Sequence, residues 1–436
     1  MQIDNIAIEN FKGLDRFERQ LHPRFTLIVG DNGRGKSSIL DALSVAFGAF
    51  LLGIPHARSR SIQRHEVRET ARFYENRPDF QQHYPVRIAA EGSLDLSSGP
   101  SDHRISWERT LEGPSSRTTA RGARPIKSIA RSAYNSILGG NDVTLPLLSY
   151  YGAGRLWNEP RHLDRHKKPS RFDAFRNSHE PRVSSADLIQ WVRDQRLAEL
   201  DEERRSPSLK AWSKAVENCF DGPVRIEYSL RRTRLEVEFG ERSAGGSNVA
   251  YSNLSSGQRT VLSMVGDIAF KALALNPHLG SDAIVQTPGI VLIDEIDLHL
   301  HPLWQRGFIP ALQNSFPNIQ FVATTHSPFI IQSLRDGMVL NLDTQEEEWE
   351  AYNLAIEDIA EGVQQVPSPQ RSQHHLELQN ASEEYYQLLD DAGRAKDADE
   401  IAEKRSRLDK VMERFADDPA AAALLKFKRT AAKIDD

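Results

Sequence analysis

The sequence predicts an α/β chain organised around a doubly wound sheet, with its ligand at the carboxyl edge of the strands. Three observations carry this expectation. The apolar run Phe25–Val29 stops at Gly30, passes through a glycine-rich stretch and continues as a helix with Ile39, Leu40, Leu43 and Phe47 at helical spacing. A second buried-type strand over residues 290–293 closes on the carboxylates Asp294 and Glu295, and a third over 319–323 closes on Thr324, Thr325 and His326. Strands that each end in polar groups and are separated by helices place those groups along one edge.

Taken in chain order, the opening segment alternates Ile6, Ile8 and then Phe11 on one face, which reads as a half-buried strand at a sheet edge. Residues 58–82 are rich in Arg, Glu and His without a clear period. Residues 86–96 and 104–111 alternate as antiparallel hairpin strands, and residues 114–131 read as a basic loop. A compact apolar strand over 144–151 runs into Gly152 and Gly154. Residues 158–185 are Arg-, His-, Lys- and Pro-rich with little to make a core, so they read as a long arm. Helical spacing returns over 188–220, interrupted near 201–207, and residues 224–239 alternate as a hairpin. Residues 370–436 are alanine-rich and charged; Asp418 before Pro419 marks a helix start ahead of Leu424, Leu425 and Phe427. The expected organisation is a nucleotide-binding lobe over 1–157, an inserted helical and stranded subdomain over 158–249, the rest of the core over 250–345 and a helical, partner-binding tail over 346–436.

Composition narrows the function. A formal charge of −6 over 436 residues argues against nucleic-acid binding by net attraction and leaves only local basic patches for it. The single Cys219 excludes an intramolecular disulfide and a cysteine metal site, which fits a reducing cytoplasm. No apolar run reaches the roughly 20 residues that span a bilayer, and the first residues carry charge within their alternation rather than a basic leader and apolar core. The expectation is a cytoplasmic protein without membrane contact.

Residues 30–37, Gly-Asp-Asn-Gly-Arg-Gly-Lys-Ser, fit the phosphate-binding pattern G-x-x-x-x-G-K-[ST] at every fixed position. Gly30, Asn32, Gly33 and Gly35 let backbone amides turn inward around phosphate oxygens, and the following helix, starting through Ser38, presents its positive end there. Lys36 would neutralise the β- and γ-phosphates of ATP, and Ser37 would ligate Mg2+. Asp294 would hold the magnesium shell and Glu295 would orient the attacking water.

Residues 254–259, Leu-Ser-Ser-Gly-Gln-Arg, resemble the LSGGQ signature of ABC ATPases, with Ser256 in place of the first glycine. In that family the segment meets the nucleotide held by the other subunit. The resemblance therefore implies an ABC-ATPase head with a mixed sheet, and an ATP-sandwich homodimer contacted through Ser255, Ser256, Gly257 and Gln258. Asp297 sits where the family's D-loop follows the catalytic glutamate and would touch the opposing subunit; His326 sits where its switch histidine follows the next strand. A metal-site reading of Asp297, His299, His301 and His326 stands beside this one. Residues 9–14, Glu-Asn-Phe-Lys-Gly-Leu, look like the first strand of RecF- and SMC-type ATPases, where Lys12 would lie near the nucleotide; a solvated lysine is the alternative. Gln63 is a candidate for the family's magnesium-reaching glutamine, and nothing local separates it from Gln81 or Gln82.

Within the superfamily, the span from Ser37 to Leu254 lacks the long heptad coil of true SMC proteins. The residues after His326 lack the acidic strand end of the nuclease found in overcoming-lysogenization-defect proteins. Residues 145–157 and 294–302 resemble the ATPase subunits of Septu-type antiviral systems, including those beside retrons, a likeness covering about residues 1–345. Such subunits work with an HNH-type nuclease on a separate chain, and this sequence lacks an HNH finger's own pattern. Tyr150, Tyr151 and Arg155 either clamp a nucleotide or nucleic acid, or form core. The basic arm with Arg161, Arg165, Lys167, Lys168 and Arg171 is the candidate contact for DNA, retron nucleic acid or a partner. A RecF-like repair clamp without a nuclease and a nucleotide-binding scaffold with negligible turnover are the competing classes.

Overall fold

A computed structural model describes residues 1–74, 77–94, 96, 104–154, 170–179, 186–201, 203, 205–240, 247–344, 346–348 and 351–370, with isolated helical positions beyond. Arg155, the arm residues Arg161, Arg165, Lys167 and Lys168, and the tail residues Asp418, Pro419, Leu424 and Leu425 lie outside them. The chain divides into two compact units, Met1–Gln364 and Gln365–Asp436. Beyond residue 370 the described positions, Phe427 among them, are helical.

The first unit contains strands β1 (Gln2–Phe11), β2 (Leu14–Gln20) and β3 (Phe25–Val29), then helix α1 (Lys36–Leu51). Strands β4 (Glu69–Tyr74), β5 (Arg77–Gln82), β6 (Val86–Ser93) and β7 (Arg104–Leu111) precede α2 (Arg124–Leu138) and β8 (Leu147–Tyr151). Helices α3 (Ala186–Asp201) and α4 (Pro207–Glu217) lead to β9 (Val224–Ser229), β10 (Arg234–Phe239) and β11 (Ser247–Ala250). Then come α5 (Ser256–Leu275), α6 (Ala283–Gln286), β12 (Gly289–Ile293), α7 (Pro302–Ser315), β13 (Ile319–Thr324), α8 (Pro328–Ser333), β14 (Met338–Asn341) and β15 (Glu347–Glu348).

The central sheet runs β15-β14-β3-β13-β12-β8. Every pairing from β14 to β8 is parallel and only β14–β15 is antiparallel, so the sheet is mixed. Strands β3, β8, β12, β13 and β14 are buried along their whole length. That is the pattern of parallel strands covered on both faces, which read as continuous apolar runs. A second, antiparallel sheet has the order β2-β1-β6-β7. Helix α1 is buried nearly all round, from Ile39 to Leu51, because it contacts strands of both sheets.

Two expectations need correction, and a third stretch gains structure. The first strand is not at an edge, since β1 pairs with β2 on one side and β6 on the other. Period-two alternation reports one buried face and carries no information on lateral neighbours. Residues 114–131 are not all loop: Pro125 opens α2, whose small apolar stripe of Ile126, Ala130 and Ala133 is buried. Residues 58–82 contain the β4–β5 hairpin; its Phe80 is 64% exposed, and a hairpin that buries little shows no apolar period. No helix among the described residues is long and apolar enough to cross a membrane.

Candidate functional site

The parallel register brings the ends of β3, β12 and β13 to one edge, with Gly30, Asp294 and Thr325 each following its strand. Between β3 and α1 the loop turns on Gly30 (φ 145°), Gly33 (φ 84°) and Gly35 (φ 94°), conformations that side chains rarely adopt. Gly35 stands at the N-cap of α1 and no side chain caps that helix start. The first amides of α1 are thus left to an outside acceptor, the condition for anion binding at a helix N-terminus.

Lys36 folds back over the loop, its Nζ donating to Gly30 O at 2.7 Å and Asp31 O at 2.9 Å. Burial pulls its pKa below the ordinary lysine value, against the opposing pull of Asp343, Asp294, Asp31 and Glu295. Ser37 Oγ donates to Asp294 Oδ1 at 3.1 Å, and Thr324 Oγ1 donates to the same oxygen at 2.7 Å. Thr324 Oγ1 in turn accepts the Glu295 amide at 2.8 Å. One threonine therefore holds both the Asp294 carboxylate and the Glu295 backbone. Glu295 has φ 49°, a left-handed backbone uncommon for a non-glycine residue and concentrated at functional sites.

The neighbouring residues are held as well. Thr325 Oγ1 donates to Asp297 Oδ1 at 2.5 Å, and His326 is exposed with its carbonyl accepting Gln364 Nε2 at 2.7 Å. Asn32, Gly33 and Gly35 lie on the exposed or half-exposed loop, and Ser38 is half-buried at the first turn of α1. Among the described residues, Asp297, His299, His301 and His326 do not form a cluster that could hold a metal ion.

The signature-like segment forms the start of α5. Ser255 is the N-cap: its Oγ accepts the Gln258 amide at 3.3 Å while Gln258 Oε1 accepts the Ser255 amide at 3.1 Å, a complete capping box. Ser255 and Ser256 are exposed. Gly257 lies so close to the D-loop segment that a Cβ there would stand 2.4 Å from His299 O.

Two expected residues make other contacts. Gln63 Nε2 donates to Ser61 O at 3.0 Å. The Lys12 ammonium is paired with Asp41 of α1 and lies 3.6 Å from Glu66, in a network that Arg60 completes through Asp41, Ser44 and Glu66. It is ion-paired rather than solvated, and a Cβ on Gly35 of the loop would meet Leu14, two residues on, at 2.9 Å. Tyr150 and Tyr151 are 3% and 0% exposed, so their strand is core, and burial drives both phenols above their ordinary pKa. Tyr151 O accepts the Asp294 amide at 2.8 Å, so this strand braces the carboxylate edge.

Asp343 was not singled out by its sequence context. Its Oδ2 accepts the Asp31 amide at 2.8 Å and its Oδ1 lies 2.7 Å from Arg34 Nε. No local motif surrounds it; it reaches the loop because β14 pairs with β3.

A family profile described as "AAA domain, putative AbiEii toxin, Type IV TA system" matches residues 25–332. The "Retron Vc95 probable ATPase" of Vibrio cholerae is 25% identical over 78% of this chain and 73% of its own length. The "Septu protein PtuA" of Bacillus mycoides is 29% identical over 80% of this chain and 41% of its own length. The "DNA replication and repair protein RecF" of Pectobacterium atrosepticum is 28% identical over 67% of this chain and 74% of its own length. With a profile that spans more than half of the sequence and includes the phosphate loop, both carboxylates and His326, the chain belongs to this AAA family and is an ATPase.

Proposed function

We propose that this chain is the Mg-ATP-dependent regulatory subunit of an antiviral defence complex, in which two copies close on ATP and govern a separate HNH-type nuclease. The observation that carries the reading is the division of labour between two helix starts. The phosphate loop and Asp294 gather within one chain, whereas Ser255 and Ser256 head α5 exposed and already capped.

The residues present fit the nucleotide and its metal. The loop amides and Lys36 would take the phosphates. Ser37 Oγ and Asp294, hard oxygen donors already 3.1 Å apart, would take Mg2+, which would shield phosphate charge and polarise the terminal group. Glu295 would orient water, His326 would meet the γ-phosphate, and Asp297 with Ser256 would face the nucleotide of the second copy. Likeness to retron and Septu proteins supports the defence setting. Residues 346–436 are assigned to partner binding.

Glu295→Gln removes the group that orients water and leaves the cradle in place. In size-exclusion chromatography with Mg-ATP this variant is expected to run as a dimer and to retain ATP. Monomers under that condition would remove the sandwich. Purification of the tagged chain from its native host is expected to recover a small HNH protein. The RecF relative supports a second reading, a DNA-gap clamp without a nuclease; recovery of repair factors without an HNH protein would select it.

A further inference from the structure

Arg34 and Lys36 are the cations of the phosphate loop, and a carboxylate from the far side of β3 is already set against it. Asp343 Oδ2 accepts the Asp31 amide and Oδ1 pairs with Arg34, whose side chain is 57% exposed while the Asp343 side chain is 7% exposed. A buried carboxylate thereby holds an exposed guanidinium against the loop. It also places a negative charge beside the spot where phosphates would bind, and like charges repel more strongly where water is excluded.

The carboxylate is braced from behind. Its own amide donates to Asn341 Oδ1 at 2.9 Å, and Leu342 N donates to Val29 O at 3.0 Å, the last strand residue before the loop. Asn341 is 1% exposed, and its Nδ2 donates to Val363 O at 2.8 Å. Val363 ends a short π-helical turn, Ile359–Val363. The next residue, Gln364, donates to the carbonyl of His326 and is the last of the first unit. A chain of direct contacts thus runs from the loop through Asp343 and Asn341 to the point where the chain leaves for its C-terminal unit.

We propose that Asp343 is a charged gate on the phosphate loop, holding Arg34 and Asp31 until nucleotide displaces it, with Asn341 linking the gate to the exit at Gln364. The inference rests on the loop binding nucleotide phosphate, as proposed above. Asp343 is a positioning residue, acting on ATP through its hold on Arg34 as well as through its own charge. The C-terminal unit begins where the brace ends, so a partner held by that unit has a route to ATP affinity.

The test is equilibrium binding of Mg-ATP to the full chain by titration calorimetry. Asp343→Asn keeps an oxygen for the Asp31 amide and drops the charge. It is expected to tighten binding roughly three- to tenfold, the order expected for removing one partly screened charge near the phosphates. The gain is expected to shrink in an Arg34→Ala background, where no guanidinium remains to be released. Asn341→Ala, which loosens the brace without touching the loop, is expected to move affinity in the same direction. Unchanged or weaker binding by Asp343→Asn overturns the gate, as does an equal gain in the Arg34→Ala background. Unchanged binding by Asn341→Ala overturns the link to the exit. Since Asn341 is buried, its melting temperature without nucleotide is read alongside, and Gln364→Ala serves as the surface variant if Asn341→Ala is unfolded. Lys36→Ala separates the two readings. Wild type and Lys36→Ala binding alike would sink the phosphate loop itself, whereas loss in Lys36→Ala beside an unchanged Asp343→Asn sinks only the gate.

Discussion

Helices α1 and α5 both begin at polar, glycine-containing turns, and the two starts are finished in opposite ways. At α1 a left-handed Gly35 occupies the N-cap and no side chain satisfies the first amides. At α5 the capping box of Ser255 and Gln258 supplies side-chain acceptors within the chain for the Gln258 and Ser255 amides. The first start leaves its amides to an acceptor from outside the helix, whereas the second carries side-chain acceptors of its own. Under the proposed function the first start holds a phosphate and the second is presented to one, and their hydrogen bonds differ accordingly.

The most disruptive way to test this contrast is at the unfinished start. Lys36→Ala leaves the strand, turn and helix intact and removes the ammonium held over Gly30 and Asp31. Steady-state phosphate release is expected to fall by about 100-fold or more, as when one preorganised charge is removed from a transition state; a rate equal to wild type would void the assignment. Gly257→Ala probes the finished start. Alanine ordinarily helps a helix by about 0.5–1 kcal/mol over glycine. Here its Cβ would meet His299 O at 2.4 Å, so the clash decides the sign and a net loss of roughly 1–3 kcal/mol is expected in denaturant unfolding. A gain in stability would mean that α5 and the D-loop are not packed as described. Ser255→Ala is smaller in effect: losing one exposed cap costs about 0.5–1 kcal/mol, seen as a drop in melting temperature without nucleotide. A larger loss would show that the capping box supports more than its own helix. The least effect is at Cys219, buried 4.0 Å from Ser315 Oγ with its thiol pushed up to about 12. At pH 8 almost no thiolate exists, so a disulfide reagent should leave the native protein unlabelled and modify the denatured chain fully; rapid native labelling would contradict this burial.

How much of this was legible in the sequence follows from the range over which each feature is built. The loop over residues 30–37 and the carboxylates after β12 announce themselves because their chemistry is local: a strand, a turn and a helix in consecutive residues. Gly257 was assigned to a signature by resemblance, but its approach to His299 joins residues 42 positions apart and leaves no local trace. Asp343 is further removed still, sitting beside Asp31 only because β14 flanks β3. Helix α2 was hidden for a different reason: a stripe of Ile126, Ala130 and Ala133 is narrow and small, and the basic residues between them dominate the composition. The ion pairs of Lys12 left no local trace either, because its partners Asp41 and Glu66 come from other elements.

The placement of β3 between β13 and β14 bears on the birth of the protein at the ribosome. Residues 25–29 emerge early, yet both strands that flank them are encoded some 300 residues later. Until the second half of the head is translated, the nascent glycine loop has neither the carboxylates after β12 nor Asp343 beside it. The N-terminal segment must wait, its apolar strand unpaired, which makes it a natural client for chaperones during translation.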